Sequence, residues 1–351
     1  LGHGSGISVT VRSGDVETVE HNRDKSLSVT VYFGHRSGNA STTDFSREAV
    51  ISCVEAAQRI ARYTEEDPFN GLADPARLAR EMPDLDLFHP WDVSMEEAVD
   101  IARRCEQAAL SSDKRIMNTE GGTLSSHQGA DLYANSNHFR GLSRSSRHSI
   151  SCSVIAGEGS AMQRDYWYDS RVDRRLLATP EDIGRETARR TLRRLGARKA
   201  STRNCPVVFE APVAASLLSH LTTAISGTSL YRKSTFLTDS LGKQLFPKSI
   251  RIHEQPLLRG GVGSTSFDNE GVATSTRDIV SGGVLQSYLL GSYSARKLGM
   301  ETTGHAGGVH NLTIEPTIEG GLELDSPSGT LRGGEGTASP TAAAPLGVPA
   351  A

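Results

Sequence analysis

The sequence predicts an α+β chain, in which an N-terminal domain of antiparallel strands with helices is followed by a β-rich antiparallel domain. Three observations carry this expectation. Residues 7–11 (Ile-Ser-Val-Thr-Val) and 27–33 (Leu-Ser-Val-Thr-Val-Tyr-Phe) alternate with period two, as half-buried strands do. Segments starting at Ser46 and Ser94 set apolar residues at helical spacing behind a capping serine. Beyond a helix near 213–226, the chain returns to short apolar runs separated by glycine turns.

In chain order, the strand at 7–11 meets a turn at Ser13-Gly14-Asp15, a second strand-like run from Val16 to Glu20, and the strand at 27–33, which make an antiparallel meander. The first helix carries Ala49, Val50, Cys53, Val54, Ala57, Ile60 and Ala61 on one stripe and closes at Asp67-Pro68. Residues 67–92 are rich in Pro and Asp and form an excursion. Ser94 and Glu97 make a capping box for a second helix with the stripe Ala98, Ile101, Ala102, Cys105, Ala108 and Ala109. Residues 116–168 are extended, and Thr179-Pro180-Glu181-Asp182 starts a third helix that Gly196 ends. A linker at 197–205 leads to a short strand, Val207-Val208-Phe209. The helix after it should bury Val213, Leu217, Leu218, Leu221, Ala224 and Ile225, with His220 as a packing or hydrogen-bonding residue. Ser281-Gly282-Gly283 marks a hairpin between 276–280 and 284–290. The expected domains are 1–196, 206–319, and a Gly/Ala/Pro-rich tail over 320–351 that cannot bury enough apolar surface to order itself.

Composition excludes several classes. A net charge of −3 over 351 residues leaves no overall basic footprint for nucleic acid. The local run Arg185, Arg189, Arg190, Arg193, Arg194, Arg198 and Lys199 reads as a solvated helix face. No apolar run is long enough to span a membrane. Cys53, Cys105, Cys152 and Cys205 are widely spaced without CxxC, which excludes a zinc ribbon and suits a reducing compartment.

Chemistry is sparse. HExxH, HExxxH and GxSxG are all absent. His253-Glu254 is followed by Gln255-Pro256, and proline would break a helix presenting them, so His253 reads as a strand residue. Gly260-Gly261-Val262-Gly263-Ser264 reads as a glycine turn, not a phosphate cradle. Glu120 and Asp131 have no spacing that makes them an acid/base pair. Two stretches, 226–235 and 302–311, are dense in Gly and polar residues, which permits close approach of a peptide or neighbouring strand. From these stretches Tyr231, Arg232, Lys233, Gly304, His305, Gly307, Gly308 and His310 are candidate peptide or partner contacts, together with Asp268. His305 and His310 lack a third ligand in sequence, so no metal site is assigned.

Several blocks in order resemble the PmbA/TldE side of the TldD/PmbA peptidase family. They are residues 60–64 with Asp67-Pro68, 85–90 (Leu-Asp-Leu-Phe-His-Pro), 118–122 (Asn-Thr-Glu-Gly-Gly), 230–239, 267–272 (Phe-Asp-Asn-Glu-Gly-Val), 292–299, and 304–308 (Gly-His-Ala-Gly-Gly). The resemblance runs from about residue 5 to about residue 315. It implies a cytoplasmic subunit paired with a TldD-type partner in a zinc metallopeptidase that degrades or trims peptides, with the zinc held by the partner. The partner's metal helix would carry HExxxH. The corresponding positions here are Ser219, His220 and Ala224, which implies no cofactor, catalytic residue or metal ligand in this chain. The family also carries a helix ahead of the first strand and further strands after the Asn311 region. The helix is missing here, and the later strands give way to low-complexity sequence, which suggests a truncated second domain with the strands around 276–290 partly exposed. The competing readings are a non-proteolytic regulator of the gyrase-modulator type and a nonfunctional fragment.

Overall fold

The computed structural model describes residues 1–315 in full and, beyond them, the backbone of two short strands, β11 (Leu322–Asp325) and β12 (Thr330–Gly333). These two strands pair with each other; the rest of the expected disordered tail lies outside the described residues. The fold is α+β with antiparallel pairing. It divides into two compact units, 1–66 with 86–133 and 142–208, and 67–85 with 134–141 and 209 onward. The second unit therefore takes in two segments that the sequence reading left in the first.

The first unit is built on a six-stranded sheet in the order β3-β2-β1-β4-β5-β6. Its strands are β1 (Gly2–Arg12), β2 (Asp15–Phe33), β3 (Arg36–Thr42), β4 (Ile116–Ala134), β5 (Arg140–Ala156) and β6 (Gln163–Arg171). The two runs expected as separate strands at 16–20 and 27–33 are one strand, β2. It pairs with β1 up to Ser26 and changes partner to β3 from Leu27. Backbone pairing holds the polar, solvent-exposed stretch between them in extended form without needing an apolar face.

Three helices cover this sheet. Ser46 caps α1 (Arg47–Tyr63) by accepting from the Ala49 N–H, and Ser94 caps α2 (Met95–Leu110) by accepting from the Glu97 N–H. Thr179 caps α3 (Pro180–Arg193) through the Asp182 N–H. Their buried faces are small: Cys53, Ala57 and Ala61 on α1, and Ala98, Ala102, Cys105 and Ala109 on α2. Small faces let elements approach closely. A Cβ on Gly184 of α3 would lie 2.2 Å from the Cys105 carbonyl oxygen, so only glycine fits that crossing. On α3, Arg185 pairs with Asp182 and Arg189 with Glu186 on a solvated face, as expected, whereas Arg190 departs from that expectation: its guanidinium is largely buried over the Trp167 ring.

The second unit holds a four-stranded sheet in the order β10-β7-β8-β9, with β7 (Ile252–Glu254), β8 (Arg277–Ser281), β9 (Val284–Leu285) and β10 (Leu312–Ile314). Three helices accompany it: α4 (Ala211–Ala224), α5 (Gly227–Tyr231) and α6 (Ser292–Leu298). The hairpin expected at 281–283 is present, and Gly282 and Gly283 both have positive φ, as a two-residue turn of this kind requires. Ile279, Val280, Leu285 and Leu290 are fully buried in one cluster with Leu218, Leu221, Ile225 and Leu230. The apolar residues of the 276–290 region are therefore covered by α4, α5, Ile252 of β7 and Leu312 of β10, which corrects the expectation that they lie partly exposed.

Two further expectations fail around α4. Residues 207–209 form no strand and are exposed. Only Leu218 and Leu221 of α4 are buried, whereas Val213 and Leu217 are 49% and 45% exposed and His220 is also exposed. The core contact is made by the last turns of the helix and Ile225, and the larger apolar side chains of its first turns, Val213 and Leu217, stay exposed among the described residues.

Candidate functional site

A proline two residues after Glu254 rules out a helix, and β7 sets His253 and Glu254 on opposite faces of the sheet. His253 faces outward, and its Nδ1 lies 2.6 Å from Asp278, which also holds Arg251. Hydrogen bonds from Arg251, followed by that from His253, hold the Asp278 carboxyl below its usual range. Glu254 faces inward and is 1% exposed.

The loop 304–311 folds over Glu254. Its entry is set by Gly304, whose φ of +74° and close approach to the Ala273 carbonyl exclude a side chain. Asp268 clamps the loop: Oδ2 accepts from the Ala306 N–H, while Oδ1 accepts from the Glu270 and Val272 N–H groups. Burial raises the Asp268 carboxyl above its ordinary pKa against the pull of these three donors. Asn311, also in the left-handed region, ties the loop exit by donating to the Gln255 carbonyl and accepting from the Gly263 N–H.

These constraints bring His305 and His310 to Glu254. His305 Nε2 lies 3.1 and 2.9 Å from the two carboxylate oxygens. The His310 backbone N–H donates to Glu254 Oε1 at 2.8 Å, and its ring Nδ1 lies 3.3 Å from the same oxygen. The outer nitrogen of His305, Nδ1, lies 2.8 Å from Thr303 Oγ1. Burial alone would push the Glu254 carboxyl up. The hydrogen bond from His305, the approach of His310 and the charge of both outweigh it and hold the carboxyl at about 2. Arg277 Nε stands 3.9 Å from Glu254 Oε2.

Beside this cluster is a cleft of about 770 Å³ lined by Thr223, Gly227, Glu270, Gly291, Tyr293 and the loop residues His305 to Val309. Gly307 and Gly308 are exposed at its wall with positive φ, so their backbone can meet a ligand without an intervening side chain.

The candidate contacts fall into separate groups. Gly304, His305, Gly307, Gly308 and His310 share one loop, and Asp268 is a buried clamp on that loop. Tyr231 packs edge-on against Tyr293, which lines the cleft, while Arg232 and Lys233 are exposed. Glu254 is the member that sequence reasoning missed. Strand alternation placed His253 and Glu254 on opposite faces, but nothing local marks which face meets the 304–311 loop.

The zinc helix is a different matter. The α4 positions Ser219, His220 and Ala224 offer one possible ligand, which is exposed, so they do not fit a zinc ion. His220 is not part of the Glu254 cluster.

Three family models cover the chain: PmbA/TldA metallopeptidase domain 1 over residues 1–61, the central domain over 88–195 and the C-terminal domain over 202–328. Metalloprotease PmbA of Escherichia coli O157:H7 is 53% identical over 310 residues, spanning 88% of this chain and 69% of that protein. The chain belongs to the PmbA/TldD metallopeptidase family. Among solved structures, a candidate modulator of DNA gyrase from Bacteroides thetaiotaomicron matches with a TM-score of 0.84 at 28% identity, over 90% of this chain and 71% of that one. TldE from Thermococcus kodakarensis shares the fold, with a TM-score of 0.72 at 20% identity over 90% and 73% of the two chains. Among the described residues, no helix of this PmbA/TldD chain is long and apolar enough to cross a membrane.

Proposed function

We propose that this chain is the subunit without the zinc helix in a two-subunit, TldD/TldE-type peptidase of the cytoplasm. The observation that carries the reading is α4. The sequence contains no HExxxH, and α4, whose Ser219, His220 and Ala224 the family resemblance sets against the partner's metal helix, presents a single histidine, which is exposed. The catalytic zinc then belongs to a TldD-type partner, and this chain contributes peptide-holding surface. The cleft beside the 304–311 loop suits that role. Its Gly307 and Gly308 offer bare backbone, and an extended peptide can pair with exposed main-chain groups while side pockets select residues.

The test is co-expression with a TldD-type partner that carries HExxxH, followed by co-purification and a peptide-cleavage assay with and without chelator. The expected result is a stable complex whose activity is lost on chelation and is far higher than that of either subunit alone. A Gly308→Trp variant, whose side chain would start into open space at the cleft wall, should keep the complex and lose cleavage. Cleavage by the partner at the same rate without this chain, or by this chain alone, would overturn the reading.

A further inference from the structure

We infer that Glu254, His305 and His310 form a binding site for a divalent transition metal of the zinc class, separate from any site on α4. The three side chains come from β7 and from both ends of the 304–311 loop. Their donor atoms all lie within 4.8 Å of one another, and all three residues are buried. Two carboxylate or imidazole donors each about 2.0–2.1 Å from a tetrahedral zinc stand roughly 3.3 Å apart. Glu254 Oε1 lies 3.1 Å from His305 Nε2 and 3.3 Å from His310 Nδ1. Two of the three edges of the donor triangle thus already have the length a metal needs.

A second observation points to a ligand. His310 is 8% exposed, and its Nδ1, aimed at Glu254, is a buried polar atom without a hydrogen-bond partner. Leaving a buried polar atom without a well-aligned partner is costly, and coordination would satisfy it. The outer shell also fits. Thr303 Oγ1 accepts from the Leu290 N–H and has the Tyr288 and Leu290 carbonyls within reach of its single proton. It is thereby placed to accept from His305 Nδ1–H, which frees Nε2 for a metal, as outer partners of ligating histidines do. Glu254 Oε1 lies within 3.3 Å of both rings, while Oε2 is shared between His305 Nε2 at 2.9 Å and Arg277 Nε at 3.9 Å, so a carboxylate bound through Oε1 would leave Oε2 to that cation. Two histidines and one carboxylate leave a fourth position for water or a ligand atom. The ion would fasten the loop that forms one wall of the cleft to β7.

The experiment uses the full chain purified without any partner, stripped with chelator and titrated with zinc chloride, and separately with cobalt(II) chloride. The expected result is one ion per chain, a raised melting temperature and, with cobalt, the visible absorption of a tetrahedral site. His310→Ala and Glu254→Gln should abolish stoichiometric binding, while His253→Gln and His220→Gln should retain it. The cobalt spectrum of the unsubstituted chain stands even if a buried-site variant fails to fold. No binding, or binding that survives His310→Ala or is lost with His220→Gln, would overturn the inference. Because no partner or peptide is involved, the outcome is independent of whether the two-subunit reading holds.

Discussion

His148 shows how one buried side chain makes stability depend on pH. It is fully buried on β5; Nδ1 lies 2.9 Å from Ser126 Oγ and Nε2 2.9 Å from the His89 carbonyl oxygen. Nε2 must donate to that carbonyl, and the serine hydroxyl can donate to Nδ1, so the neutral ring satisfies both contacts. Burial lowers its pKa; the carbonyl of His89 and the charge of Asp173 oppose that, and Arg174 and His89 add to it. The unfolded chain, with a histidine pKa near 6.5, takes up this proton before the folded chain does, so stability is lost as pH falls below about 6.5. The expected outcome is that the melting temperature drops more steeply between pH 7 and 5.5 for the native chain than for His148→Gln, read by circular dichroism. Equal slopes would show that His148 does not carry the effect. At this scale the sequence was readable only where chemistry is local. The serine and threonine caps were legible because a cap and its N–H partner lie three residues apart. Glu106 was not: its two oxygens accept from the Ser13 and Gly14 N–H groups more than ninety residues away, and Glu254 meets its loop across a similarly nonlocal contact.

Among the elements, α1 and α2 were legible because each pairs a capping serine with an apolar stripe, and α3 because threonine, proline and acids mark its start and a glycine its end. Strand β2 was divided in two because its exposed middle lacks alternation, although backbone pairing carries it through. The helix α4 was legible in extent and misread in burial. Periodicity identifies an apolar face but not how much of its length meets a partner, and here only the C-terminal turns do. Adjacent leucines make this testable. Leu218 is 5% exposed in the cluster with Ile279 and Leu285, and Leu217 is 45% exposed. Leu218→Ala should lower stability by about 2–4 kcal/mol through lost burial and a residual cavity. Leu217→Lys, at a position away from the core, should stay within about 0.5 kcal/mol of the native chain. Urea denaturation of both variants decides the matter. Equal, large losses would mean that Leu217 is covered after all, as the sequence pattern alone suggested.

Across the whole molecule, the chain does not divide in sequence order. The second unit includes 67–85 and 134–141, although most of it follows residue 208. The early segment is bound to the later one by specific backbone contacts. Arg296 on α6 donates to the carbonyls of Phe69, Gly71 and Leu72, and Tyr293 donates to Asp67. The Ala79 N–H donates to the Gly271 carbonyl and the Ala273 N–H to that of Arg77. The Phe139 ring from the second inserted segment meets Phe267 edge-on at 5.3 Å. Hydrogen bonds donated by a charged group contribute about 1.5–3 kcal/mol each, and a domain of this size has only about 5–15 kcal/mol in total. Residues 209 onward, expressed alone, lack all these partners and should show no cooperative melting transition. The intact chain offers the complementary experiment. Residues 197–209 are exposed coil containing Arg198, Lys199 and Arg203, so brief trypsin treatment should nick there first. The two pieces should then co-elute in native size-exclusion chromatography and separate only in denaturant, because the second unit is assembled from both. Pieces that separate under native conditions, or a later piece that melts cooperatively by itself, would show that 67–85 and 134–141 are dispensable to that unit.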